Sequence, residues 1–189
     1  MKFSIPFTLL FFFIFSISYA QNPLINAPSI SPDGQTIAFN FQGDIWTADI
    51  TGNNIRRITV HEANDTKPIW SPDGASISFI SNRFGNNDVY VIGKEGGIPK
   101  RITYHSTNDN ITDFTEDGHL IFETRRNFMQ VEREPETHIV SVEGGTPIRY
   151  MSSLGFDASL SPDGNFIVFV KGSCRIQREA YRGPANRNV

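Results

Sequence analysis

The tetrapeptide Ser31-Pro32-Asp33-Gly34 decides the fold, because it returns three more times along the chain. The later copies are Ser71-Pro72-Asp73-Gly74, the degenerate Thr115-Glu116-Asp117-Gly118, and Ser161-Pro162-Asp163-Gly164. An apolar residue precedes every copy, and an alternating run that ends in phenylalanine follows it, as in Ile37-Ala38-Phe39. The tetrapeptide and its flanks return at intervals of roughly 40 to 46 residues, which indicates one structural unit used several times.

The chemistry of the tetrapeptide predicts a tight turn between two strands. Proline fixes φ at the second turn position, aspartate accepts hydrogen bonds from nearby amides, and glycine tolerates positive φ. Extended runs on both sides make it a hairpin turn. A third strand in each unit is predicted to open on a polar residue, in Asp44-Ile45-Trp46, Asp88-Val89-Tyr90 and His138-Ile139-Val140. A short fourth strand closes the unit, which is then a four-stranded antiparallel meander of the size of a propeller blade.

The predicted fold class is therefore all-β: a β-propeller of four-stranded antiparallel blades that is incomplete in this chain. A β-sandwich is the alternative, and it explains short strands but not the return of one four-strand unit. Three whole blades and about half of a fourth are predicted, over residues 27–61, 66–105, 111–152 and 156–189. We accordingly expect the chain to be the first part of a larger protein.

The first twenty residues are typical of a secretory signal peptide. Lys2 precedes an apolar run from about Ile5 to Ile17, and Ser18-Tyr19-Ala20 supplies small residues at the cleavage site. A membrane anchor is the alternative, but the apolar run is shorter than the ~20 residues that a spanning helix needs. The sequence predicts an exported protein, periplasmic or extracellular, that begins at Gln21 and holds no membrane anchor after cleavage.

Composition argues against several classes of function. A formal net charge of −3 provides no basic surface for nucleic acid. A single cysteine, Cys174, excludes a disulfide framework and a cysteine-based zinc cage. The sequence leaves open whether that thiol is buried and inert or reactive. No phosphate-binding glycine loop is present, and no cofactor is expected.

No catalytic motif is present in the sequence. The Gly-x-Ser-x-Gly turn and the His-Glu-x-x-His motif are both absent, and the repeated serines lie in structural turns. His61 and Asp65 precede their turn at the same spacing as His105 and Asp109. These pairs could be metal ligands or a loop brace in which aspartate caps backbone amides. The brace is favoured, because equivalent sites of neighbouring blades do not converge on one point. No catalytic and no metal-binding residue is predicted.

One face of the propeller carries the length variation. The turns between the first and second strands keep their length, whereas the loops between the second and third strands grow from Gln42-Gly43 to about 125–136 and 171–187. Such insertions often mark a binding face, and arginine side chains suit peptide carbonyls and carboxylates. Solvated loops and packing against downstream domains are the alternatives. The candidate binding residues are Arg125, Arg126, Arg133, Arg175, Arg178, Tyr181 and Arg182.

The repeats resemble those of the TolB and tricorn protease group of β-propellers. The resemblance rests on the Ser-Pro-Asp-Gly cores, on Asp44-Ile45-Trp46 and Asp88-Val89-Tyr90, and on the rim segments Arg56-Arg57-Ile58-Thr59 and Lys100-Arg101-Ile102-Thr103. It covers about residues 27–170. The segment from Glu143 onward is most similar to exported tricorn-like serine peptidases, in which a propeller precedes the catalytic domain.

The resemblance implies a non-catalytic propeller segment that gates or binds peptides for a catalytic domain absent from this chain. A TolB-like envelope scaffold that binds proteins without catalysis is the alternative, and a propeller fused to an amidohydrolase or a prolyl-oligopeptidase-like domain is a third. The expected partners are a peptide or protein ligand or the downstream domains, with no nucleic acid. Open blade edges also predict oligomerisation or aggregation of the isolated chain.

Overall fold

The computed structural model describes residues 24–126 and 135–171. These residues form three four-stranded antiparallel sheets and one two-stranded sheet, and none of the sheets closes on itself. The predicted all-β, incomplete β-propeller is therefore confirmed. A helix long and apolar enough to span a membrane is not found within the described ranges. The predicted signal peptide lies outside them.

Each sheet follows the chain in simple meander order, and we name the strands of a blade a to d in that order. Blade 1 contains β1 (Asn26–Ile30), β2 (Thr36–Phe41), β3 (Asp44–Asp49) and β4 (Arg56–Arg57). Blade 2 contains β5 (Asp65–Trp70), β6 (Ser76–Ser81), β7 (Asp88–Gly93) and β8 (Lys100–Arg101). Blade 3 contains β9 (Asn110–Phe114), β10 (Leu120–Thr124), β11 (Glu136–Val140) and β12 (Ile148–Leu154). The two-stranded sheet contains β13 (Phe156–Leu160) and β14 (Ile167–Val170).

The repeated tetrapeptide forms the predicted a–b turn. In blade 1 the amide of Gly34 donates to the carbonyl of Ser31 at 2.8 Å, and the Ser31 hydroxyl donates to Asp33 at 2.6 Å. Gly34 has φ of 71°, which explains the glycine. The degenerate third turn keeps these bonds, with Thr115 in place of serine, so its local geometry is retained.

Neighbouring sheets pack side by side through their apolar faces. Strand β5 packs against β1, β2 and β3, strand β9 packs against β6 and β7, and β13 packs against β9, β10 and β11. One cluster joins blades 1 and 2 and contains Ala38, Ile45, Ile58, Trp70, Ile77, Phe79, Tyr90 and Ile92. A second joins blades 2 and 3 and includes Ile80, Val89, Ile102, Ile111, Phe114, Leu120, Phe122 and Val140. This sequential stacking is the blade arrangement of a propeller.

Strand a carries a bulge that the sequence analysis did not predict. In blade 2 the pairing with β6 shifts between Thr66 and Ile69, and Lys67 adopts φ of 53°. Ala27 in β1 and Asp157 in β13 adopt positive φ at the equivalent point. The bulge bends strand a opposite the recurring phenylalanine of strand b and leaves ladder amides to be bonded elsewhere.

The predicted start of the third strand in blade 3 is wrong by two residues. Phe122 pairs with His138, just as Phe39 pairs with Trp46 and Phe79 pairs with Tyr90. His138 is therefore the counterpart of the aromatic residues, and Glu136 is the acidic residue that opens β11. The alternation of polar and apolar residues has a period of two, so a strand shifted by two residues shows the same pattern in the sequence. The hydrogen-bonded register distinguishes the two alignments.

Candidate functional site

The b–c loops and the starts of the a strands lie on one face, joined by a recurring backbone bond. The amide of Asp65 donates to the carbonyl of Gly43, the amide of Asp109 to that of Asn87, and the amide of Gly155 to that of Pro135. The first two bonds are 2.8 Å long and the third is 2.9 Å. Each one ties the end of a b–c loop to the next blade. We call this side of the molecule the loop face.

A buried ion pair supports the loop face in blade 2. Asp65 has no exposed surface, and the Arg83 guanidinium lies 2.7 Å from its Oδ2. Arg83 itself is only 12% exposed and lies over the rings of Phe79 and Tyr90, at 5.6 and 5.3 Å. The first turn of the b–c loop is thereby fixed to the start of strand a.

Blade 3 repeats this arrangement, and blade 1 lacks both partners. Arg126 lies 2.6 Å from the buried Asp109 and 5.2 Å from the centre of the Phe122 ring. Blade 1 has Ile25 and Gly43 at the two equivalent positions. The acid and the base therefore occur together or are absent together in these three blades, as expected for a pair that must be buried as a unit.

A second ion pair lies between the third and fourth strands of blade 2. The Arg101 guanidinium lies 2.6 Å from Oδ2 of Asp88, and that carboxylate is fully buried. Burial raises the pKa of Asp88, and the charge of Arg101 opposes this effect. In blade 1 the same positions hold Asp44 and Arg57, which also form an ion pair.

Arg101 is also the centre of an exposed aromatic stack, which we call the aromatic clamp and define as Phe84, Arg101 and Tyr104. The guanidinium lies 4.5 Å from the centre of the Phe84 ring and 4.6 Å from that of Tyr104. The two aromatic residues are 66% and 69% exposed. Cation–π stacking holds both rings on a group that Asp88 already orients, so the clamp is preorganised.

The loop that presents Phe84 is held by the side chain of Asn86. Its amide group donates to the carbonyls of His105 at 2.9 Å and of Thr107 at 3.1 Å. The amide of Gly85 donates to the carbonyl of Asn82 at 3.0 Å and closes the turn. An exposed aromatic side chain on a braced loop can contact a ligand with little loss of conformational entropy.

The repeated histidines brace their own loops, as expected, but the repeated aspartates do not cap amides. Nδ1 of His61 accepts the amide of Ala63 at 2.9 Å, and Nδ1 of His105 accepts that of Thr107 at 3.1 Å. The carboxylates of Asp65 and Asp109 bind arginines instead. The described part of the chain contains no group of three or more side chains arranged to hold a metal ion.

Two of the predicted binding residues lie on the described part of the loop face. Arg125 is exposed at the end of β10, whereas the guanidinium of Arg126 is bonded to Asp109 and is 12% exposed. Arg133, Arg175, Arg178, Tyr181 and Arg182 lie outside the described residues. The binding roles of all seven stay predictions.

The sequence analysis did not single out Phe84, Tyr104 or Arg83, and it gave Arg126 a binding role rather than a pairing with Asp109. One signal was present in the sequence. Arg83 and Arg126 each follow the end of strand b by two residues, and each occurs in a unit that has an aspartate six residues before its turn. The recurrence of both residues in the same two units predicts their pairing. The aromatic clamp leaves no such signal, because its members occur in one blade.

The sequence family described as the tricorn protease N-terminal beta propeller domain matches residues 22–189. The chain belongs to this family. Tricorn protease homolog 1 of Streptomyces coelicolor is 32% identical to this tricorn-type propeller over 91 residues, which are 48% of the chain and 8% of that protein. The Tol-Pal system protein TolB of Francisella tularensis subsp. mediasiatica is 28% identical over 166 residues, which are 82% of the chain and 37% of that protein.

A solved structure shares the fold of this tricorn-type propeller. The crystal structure of the tricorn protease superposes with a TM-score of 0.69 at 24% identity, over 87% of this chain and 17% of that one. The chain thus spans well under half the length of each of these relatives. What it has in common with all of them is the propeller.

Proposed function

We propose that this tricorn-type propeller is the non-catalytic segment of an exported serine peptidase, and that its loop face binds or gates peptides for a catalytic domain outside this chain. The observation that carries the proposal is the match to the N-terminal propeller of a protease over residues 22–189. In this arrangement the propeller selects the peptide, and cleavage takes place in another domain.

The geometry of the loop face supports a peptide ligand. The aromatic clamp presents two exposed rings beside one guanidinium, and rings of this kind contact extended peptides with large area and few rotatable bonds. The buried ion pairs of blades 2 and 3 keep the loop bases in place. Arg125 lies exposed on the same face in the next blade, where it can meet a peptide carboxylate.

The chain purified from residue 21 onward is expected to bind fluorescent, unstructured peptides and to leave them uncleaved. Replacing Phe84 and Tyr104 together by alanine should weaken binding about tenfold, since loss of aromatic contacts at an interface costs on the order of 1–2 kcal/mol. Fluorescence anisotropy measures the affinity, and mass spectrometry of the same peptides detects any cleavage.

Ile98→Ala is the matched control for this experiment. Ile98 is 95% exposed and follows Gly97 in the c–d turn of blade 2, away from the b–c loop that presents Phe84. Its removal should leave peptide affinity unchanged. Equal affinities for the double variant and the parent chain would show that the clamp does not contribute to peptide binding. Cleavage that serine-directed reagents block would contradict a non-catalytic propeller.

A TolB-like protein-binding scaffold without enzymatic role is the second candidate. It is favoured by the similarity to TolB, which extends over 82% of this chain, more than that of the tricorn homologue. The reading frame beyond Val189 distinguishes the two candidates. A serine peptidase domain supports the first, whereas a stop codon soon after ring closure supports the second.

We also propose that the protein is exported, to the periplasm or the outside of the cell. The support is the apolar run of residues 5–17 with its small-residue cleavage site. Sequencing the amino terminus of the secreted protein should give Gln21. Retention in the cytoplasm with Met1 or Lys2 at the terminus would contradict export.

A further inference from the structure

The contact between blade 3 and the next sheet contains a buried carboxylate. Glu123 lies on β10, is 8% exposed, and accepts a hydrogen bond from the backbone amide of Asp157. Asp157 is the residue of β13 that adopts φ of 54° at the bulge. The equivalent positions of strand b are Asn40 in blade 1 and Ile80 in blade 2, which are neutral. Among the described blades, blade 3 alone has a carboxylate at this position of strand b.

A second carboxylate of blade 3 contacts the same strand. Oδ2 of Asp113, on β9, accepts the Ser159 hydroxyl at 3.0 Å and the amide of Leu160 at 2.9 Å. Between blades 1 and 2, by contrast, the indole of Trp70 donates to the carbonyl of Ser29 at 3.2 Å. Blade 3 therefore contacts β13 through two acidic side chains, whereas the Trp70 contact between blades 1 and 2 uses a neutral donor.

The surroundings of Glu123 disfavour its charge. Burial raises its pKa from 4.5 to about 7, and the negative charge of Asp157 acts in the same direction. The amides of Asp157 and Ala158 and the charge of Lys67, on β5, oppose the shift. The strands packed against β13 also carry Asp113 on β9 and Glu136 and His138 on β11. Because desolvation is the largest of these effects, the folded state favours the neutral form of the Glu123 carboxyl group over the charged form.

We propose that the seam between blade 3 and the β13–β14 sheet is a proton-sensitive joint, in which protonation of Glu123 tightens the contact and its ionisation weakens it. The joint allows the last sheet of the described chain to separate from blade 3 without unfolding the other blades. Local opening of this kind is expected where a few polar contacts hold one element.

The direction of the pH effect follows from the two protonation equilibria. The folded seam binds the proton of Glu123 more tightly than the open or unfolded chain does, where the pKa is that of an exposed glutamate. The stabilisation by the proton is therefore complete below about pH 4.5 and is lost as the pH rises through about 7. Between pH 5.5 and pH 8 the equilibrium for opening should rise by about tenfold to thirtyfold.

Hydrogen exchange of the full 189-residue chain, read by mass spectrometry of the peptide that contains β13, tests the joint. After correction for the intrinsic pH dependence of exchange, the protection of this peptide should fall at least about tenfold from pH 5.5 to pH 8. Glu123→Gln keeps an acceptor for the Asp157 amide without a charge. This variant should give the same protection at both pH values, close to that of the parent at pH 5.5.

Glu116→Gln is the matched control, because Glu116 is an exposed glutamate of the same blade. It should retain the pH dependence of the parent chain. Equal protection of the parent at both pH values would overturn the proposal, as would a Glu123→Gln variant with the same pH dependence as the parent. The blade 2 peptide that contains β6 serves as an internal reference and should not show the tenfold change.

Discussion

Replacing Arg83 by leucine is expected to destabilise the chain by about 3–5 kcal/mol, because it leaves the carboxylate of Asp65 buried without its counter-ion. Asp65 has no exposed surface, and within the described residues its Oδ1 has no hydrogen-bond partner. Arg83 is thus the side chain that compensates the buried charge. The loss of the guanidinium over Phe79 and Tyr90 adds to the cost. Urea denaturation followed by tryptophan fluorescence measures the change.

A double variant separates the buried charge from the loss of packing. Asp65→Ile together with Arg83→Leu removes both charges, and isoleucine is the residue that blade 1 has at this position. The double variant should recover most of the stability lost in Arg83→Leu, since apolar replacement of a buried ion pair is often neutral.

An exposed ion pair between blades 1 and 2 is the control for the Arg83 variant. Arg56 and Glu95 join blades 1 and 2 by an ion pair in which the side chains are 50% and 70% exposed. Arg56→Leu should change stability little, because solvent screens such pairs. If Arg83→Leu cost no more than Arg56→Leu, the buried pair would not be a support of the loop face.

Replacing Arg126 in blade 3 changes the stability of the loop face as well as any ligand contact. Arg126 compensates Asp109, so its replacement would disturb the base of the b–c loop whether or not it touches a ligand. A loss of binding in an Arg126 variant has to be compared with its loss of stability before a binding role is assigned.

The features that depend on local chemistry could be predicted from the sequence alone. Each a–b turn depends on four consecutive residues, and their hydrogen bonds form as the serine, aspartate and glycine predict. The propeller follows from the return of that unit with its flanks. The fold class therefore did not require knowledge of any distant contact.

The features that the sequence did not reveal depend on contacts across strands. Asp65 and Arg83 are 18 residues apart and meet only when strand a lies beside strand b. The register that places Glu136 at the start of β11 is fixed by pairing with β10, not by the local pattern. The aromatic clamp joins a b–c loop to Arg101, at the end of strand d, and to Tyr104, three residues beyond it. Each of these needs the folded sheet before its members become neighbours.

Gly155→Ala is the second change for which we expect a large effect. A β-carbon added at Gly155 would lie 2.5 Å from Cδ2 of Phe169 and 2.7 Å from the backbone carbonyl oxygen of Val170. The ring can turn, but the carbonyl belongs to β14 and moves only if the β13–β14 sheet moves. We expect a loss of about 1–3 kcal/mol, as for overpacked interiors, measured by urea denaturation. Protection of the β13 peptide from hydrogen exchange should fall in parallel.

The surroundings of Gly155 explain why the last sheet lacks the ion pair that the preceding blades have at this position. Asp65 and Asp109 occupy the equivalent place in blades 2 and 3, where they bind an arginine. In the last sheet the ring of Phe169 lies against the glycine and leaves no room for such a side chain. The amide of Gly155 still donates to Pro135, so the bond between blades is kept while the ion pair is not.

Gly93→Ala is the control that isolates this steric effect. A β-carbon at Gly93 would meet its nearest neighbour, the carbonyl oxygen of Gly96, at 3.4 Å, and the residue does not have positive φ. The variant should therefore stay within about 0.5 kcal/mol of the parent. Adding Phe169→Leu to Gly155→Ala should restore only part of the stability, because the contact with the Val170 carbonyl remains. Full recovery of stability would show that the Phe169 ring alone causes the loss. Equal losses of stability in Gly155→Ala and Gly93→Ala would contradict the steric explanation.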